Sequence, residues 1–78
     1  MDTYIIQLNG FNYTLYVGDS GNGTLFINIS DPAGYITTIV DYFPCGGTRF
    51  DYTILHGEDF NVETLENLLE QFTEMVVG

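Results

Sequence analysis

"TYIIQLNGFNYTLYV", residues 3–17, is two alternating runs joined by Asn9-Gly10. Asn-Gly is the strongest short hairpin signal, because a type I′ turn needs φ > 0 at both of its central residues. A two-residue loop there pairs Leu8 with Phe11, Ile6 with Tyr13 and Tyr4 with Leu15. All six then share one face, and all are large and apolar. Ile5, Gln7, Asn12, Thr14 and Tyr16 fall on the other face. Turn chemistry and pattern agree, so the chain starts as antiparallel sheet.

The same grammar continues. "GDSGNG" (18–23) reads as a loop, and "TLFINIS" (24–30) alternates with Leu25, Ile27 and Ile29 on one side. "DPAG" (31–34) has Pro second and Gly fourth, as a type I turn prefers. "YITTIVDYF" (35–43) is β-branched and aromatic, hence strand, and "PCGG" (44–47) is a turn. "TRFDYTIL" (48–55) alternates through Phe50, Tyr52 and Ile54. A plain four-residue turn at "PCGG" would put those three on the wrong face, so a bulge or a different loop length is expected there.

"HGEDFN" ends the sheet, and Asp59 or Asn61 caps a helix. Leu65, Leu68, Leu69, Phe72, Met75 and Val76 fill an arc about 120° wide at roughly 100° per residue. Glu63, Glu66, Glu70 and Glu74 fill an arc of about 80° opposite. The expectation is one α+β domain over residues 1–78: a five-strand antiparallel meander with a C-terminal amphipathic helix across one face. A chain of this size buries only about 60% of its unfolded surface, so its stability is modest.

Composition narrows the function. Six Tyr, six Phe and an apolar fraction of 45% supply a core, which a disordered acidic tail lacks. No basic region precedes an apolar run at the N-terminus, and no apolar stretch approaches the roughly 18 residues of a membrane span. One cysteine, Cys45, excludes an internal disulfide framework and suits a reducing compartment. The expectation is a complete, small cytoplasmic gene product.

Charge is the strongest compositional signal. Eleven acids face one arginine, Arg49, and no lysine, for a net charge of −10. Typical usage would supply roughly nine Lys plus Arg in this length, so the bases are what is missing. Such a surface all but excludes direct nucleic-acid binding and steers instead onto a positive cleft. Glu66, Glu70 and Glu74 stand one turn apart and repel, each pair costing a few tenths of a kcal/mol. The ordinary reading of that ridge is a solvated face. The functional reading is an anionic strip that docks on a basic partner, joined by Glu63, Asp19, Asp31, Glu58 and Asp59. Arg49 has Asp51 on its own strand and Asp41 across the turn, so an internal ion pair is its expected use.

Other chemistries have little to stand on. A calcium loop needs oxygen ligands at positions 3 and 5, where "DSGNG" has Gly21 and Gly23. His56 and Cys45 are single, with no orienting third group, so neither catalysis nor a cofactor or metal is expected. The glycines of "GNG" and "PCGG" do not precede a helix as a phosphate cradle requires. A second surface is the sheet face away from the helix, where Tyr16, Phe26, Tyr35, Ile39 and Phe43 could mark an aromatic interface or a homodimer.

In size, charge and compactness the chain resembles the small acidic inhibitors of phages and mobile elements, of anti-CRISPR and anti-restriction type. The resemblance is compositional and spans the whole chain; it carries no motif and transfers no functional residue. It implies a stoichiometric, non-catalytic blocker of a nucleic-acid-processing enzyme such as a CRISPR effector or other nuclease, acting as an acidic DNA mimic. The alternative is an interaction module or small homodimer using the aromatic sheet face.

Overall fold

A computed structural model describes residues 2–21, 23–43, 49–55 and 60–77. Five strands run β1 Asp2–Leu8, β2 Phe11–Gly21, β3 Thr24–Ser30, β4 Ile36–Phe43 and β5 Arg49–Ile54, followed by α1 Val62–Val77. The strands form one antiparallel sheet in chain order, so the α+β meander expected from sequence is the observed fold.

The first hairpin follows its sequence residue for residue. Asn9 and Gly10 have φ of 52° and 83°, as a type I′ turn requires. Leu8 pairs with Phe11, Ile6 with Tyr13 and Tyr4 with Leu15. Ile6 and Leu15 are buried, whereas Phe11, at the tip, is 57% exposed.

The second connection differs from expectation. Residues 18–21 are not loop: β2 continues to Gly21, and Gly18 pairs with Phe26. Gly18 has room for the Phe26 ring where a side chain would sit. The ring covers the bare backbone and keeps a glycine in a strand that would otherwise weaken there. Only after a register shift between Asp19 and Gly21 does the chain turn, with φ of 87° at Gly21 and 76° at Gly23.

The turn at Asp31 is as expected: the Gly34 N–H donates to the Asp31 carbonyl at 3.0 Å. Tyr35 belongs to that turn, not to β4; its N–H donates to the Asp31 carboxylate at 2.9 Å. β4 then opens with a bulge. Ile29 pairs with Thr38 but Ser30 with Ile36, leaving Thr37 extra. Thr37 is buried, and its hydroxyl donates to the Ile29 carbonyl at 3.2 Å.

After Phe43 the parity expectation holds. Phe43 pairs with Arg49, so five residues, not four, connect β4 to β5. Phe50, Tyr52 and Ile54 thereby join the face of Tyr42, Val40 and Thr38. The "PCGG" turn itself lies outside the described residues.

The helix covers one face of the sheet. Its cap is Asn61, whose side-chain carbonyl accepts from the Thr64 N–H at 2.9 Å; Asp59 lies outside the described residues. Leu65, Leu68, Leu69 and Phe72 are buried among Ile6, Leu15, Ile27, Ile29, Val40 and Tyr42. Phe72 meets Tyr4 of β1 at 5.3 Å and Tyr42 of β4 at 5.5 Å, both nearly perpendicular. Edge-to-face contacts of this kind add about 0.5–1.5 kcal/mol beyond the area they bury. Met75 and Val76 do not belong to this buried arc; they are exposed in the last turn. Among the described residues, no helix is long and apolar enough to cross a membrane.

Candidate functional site: an acidic helix and an open sheet face

Glu63, Glu66, Glu70 and Glu74 are all exposed, and they share the side of α1 away from its buried leucines. From Glu63 to Glu74 the ridge spans about 16 Å at 1.5 Å per residue. No basic residue stands in the last turn to answer the helix dipole. The helix holds this uncompensated face because packing on the opposite side supplies its stability.

The ridge borders a groove of about 300 Å³ between the helix and the β4–β5 end of the sheet. Half-buried Phe50 and the buried Tyr42 and Leu69 form its apolar lining, and Glu66, Glu70 and Glu74 line it as well. At the groove, Tyr42 and Thr73 hydroxyls meet at 2.7 Å. Thr73 spends its one proton on the Leu69 carbonyl at 2.8 Å, so the Tyr42 O–H is the donor of the pair.

Of the loop acids, the described pair, Asp19 and Asp31, is not gathered. Asp19 and Asp31 lie at opposite ends of β3, about 20 Å apart at 3.3 Å per residue. Each is engaged locally: Asp19 accepts from the Gly21 N–H at 2.8 Å, and Asp31 from Tyr35. Glu58 lies outside the described residues, as do His56 and Cys45. Among the described residues, no cluster of His, Cys, Asp or Glu could hold a metal ion.

The opposite sheet face carries a row Thr3, Tyr16, Asn28, Ile39, Thr53 across all five strands. Ile39 is 42% exposed and Ile5, beside this row, 66%. Tyr16, Phe26 and Phe43 are half-buried, and Tyr35 is exposed in its turn. No described helix or strand packs on this face. One pairing escaped the sequence reading: Asp41 and Asp51 are direct cross-strand partners, both exposed. Like charges so placed destabilise a sheet. The signal was present in the chain, since a five-residue connection after Phe43 puts Asp41 opposite Asp51, but it needed the loop length first. Arg49 pairs with Phe43, two rungs along the ladder.

No family model, no curated protein and no solved structure matches the chain.

Proposed function

We propose that the protein is a non-catalytic inhibitor that docks its acidic helix on a basic, nucleic-acid-binding surface of an enzyme and blocks it stoichiometrically. A CRISPR effector or other nuclease is the target class, because such enzymes hold nucleic acid in clefts lined with Lys and Arg. The observation that carries this reading is the exposed Glu63–Glu66–Glu70–Glu74 ridge on a body of net charge −10. A rigid body of one sign steers onto a cleft of the other, raising its on-rate by about 10- to 1,000-fold.

The mimicry is not charge for charge. Duplex DNA carries a charge about every 1.7 Å, so it would place roughly ten where the ridge places four. The helix therefore acts as a plug for a positive cleft more than as a copy of a duplex. A second reading uses the open sheet face, favoured by the exposed Ile5 and Ile39 beside Tyr16 and Phe26. There the protein is an interaction module or homodimer whose acidity keeps it soluble.

A pulldown from nuclease-treated bacterial lysate at low salt, eluted in salt steps, separates the two. Under the first reading a basic nucleic-acid enzyme elutes early and is displaced by duplex DNA. Substituting Glu66, Glu70 and Glu74 together by Gln weakens that capture at least tenfold while the fold is kept or slightly stabilised. Self-association that resists salt would move the function to the sheet face.

A further inference from the structure

The groove beside the helix offers two chemistries at once. Phe50, half-buried, offers ring surface beside the buried Leu69 and Tyr42, and the Tyr42 hydroxyl is already bonded to Thr73. Glu66, Glu70 and Glu74, spaced one helical turn apart, set carboxylates along the same opening. A purely acidic strip would treat every cation alike. An apolar wall under carboxylates discriminates, because it favours a cation that is flat, weakly hydrated and carried on a hydrocarbon stem. Guanidinium meets that description and ammonium does not: its plane stacks on a ring while its edge bonds a carboxylate in bidentate fashion. A second copy of this chain is a poor occupant, since it would bring ten further negative charges toward the same carboxylates.

We propose that the groove between α1 and the β4–β5 end of the sheet is an arginine-docking site. The occupant is an arginine side chain of the basic partner, laid on Phe50 with its guanidinium held by Glu66, Glu70 or Glu74. This deepens the reading that the acidic helix meets a basic surface and rests on it. It adds which residue of the partner is gripped and where. The helix glutamates then act through one seated side chain as well as through long-range attraction, so binding retains part of its strength at salt concentrations that screen the ridge.

The test is a titration of the isotope-labelled full-length protein with hexa-arginine and, separately, hexa-lysine at low salt, followed by amide chemical shifts. Both peptides carry the same number of side-chain charges. The expected result is that hexa-arginine binds about 3- to 10-fold tighter, with shifts centred on Phe50, Leu69 and Thr73. Phe50→Leu keeps the apolar bulk but not the ring, and is expected to erase the preference by bringing hexa-arginine affinity down to that of hexa-lysine. Equal affinities with shifts spread over Asp41, Asp51 and the turns would overturn the groove while sparing the general electrostatic reading. A preference that survives Phe50→Leu would also overturn it. No binding of either peptide would overturn both.

Discussion

At Gly18 the lack of a side chain is itself a contact. A Cβ there would collide with the Phe26 ring that lies across the backbone. Gly18→Ala must push the ring off, so we expect a loss of about 1 kcal/mol despite the gain in chain stiffness. Urea unfolding checks it; an unchanged midpoint would mean the ring swings aside freely and does not hold the strand. Tyr42 makes a different kind of single-residue claim. Its hydroxyl donates to Thr73, whose own proton is committed to Leu69, so no other described donor replaces it. Tyr42→Phe is expected to cost about 1 kcal/mol, and adding Thr73→Val to the Tyr42→Phe variant should cost less than Thr73→Val does in the parent. Additive losses in that cycle would show that the two hydroxyls do not depend on each other.

At the scale of elements, alternation and turn chemistry located all five strands and fixed the faces of the first hairpin, while the faces of β4 and β5 waited on the bulge at Thr37 and on the length of the connection after Phe43. Asn9-Gly10 set the first pairing, and it is the one observed. The limits were local. "GDSGNG" has the composition of a loop, yet most of it is strand, because a partner ring on β3 compensates for Gly18. No property of residues 18–23 announces that ring. The helix shows the converse error: Met75 and Val76 continue the apolar arc but are exposed, whereas Phe72 is clasped between Tyr4 and Tyr42. Periodicity states which side of a helix is apolar, not where the surface beneath it ends. Between β4 and β5 the opposed Asp41 and Asp51 give a direct prediction. Asp51→Asn should stabilise the fold by about 0.5 kcal/mol, measured by thermal or urea unfolding at low salt, with the gain shrinking as salt is added. A destabilised variant would mean that the carboxylate has a partner worth more than the repulsion it suffers.

For the whole molecule, eleven acids and one arginine on a body about 32 Å long make self-repulsion a general term in its stability. Raising ionic strength from about 10 mM to 150 mM shortens the Debye length from roughly 30 Å to 8 Å, less than the width of the molecule. The midpoint of thermal unfolding is therefore expected to rise with sodium chloride over that range. A flat or falling midpoint would show that the acids are already compensated within the fold.

What the chain determined by itself is everything that depends on near neighbours and on totals. Turn residues and the two periodicities specify an α+β meander, and a count of charges specifies one sign of surface. The four helix glutamates were legible as a ridge for the same reason, since helical spacing alone puts them together. What only the tertiary structure decided is which distant groups share a space. It brought Phe50 and Tyr42 beside Glu66, Glu70 and Glu74 and set Asp41 against Asp51. It also separated Asp19 from Asp31 by the length of a strand. The physical reason is that each of these depends on register and on the line along which the helix lies over the sheet. The registers follow from the connections and bulges between strands, and the helix line from the packing of Phe72, Leu65 and Leu68 against residues far away in the chain.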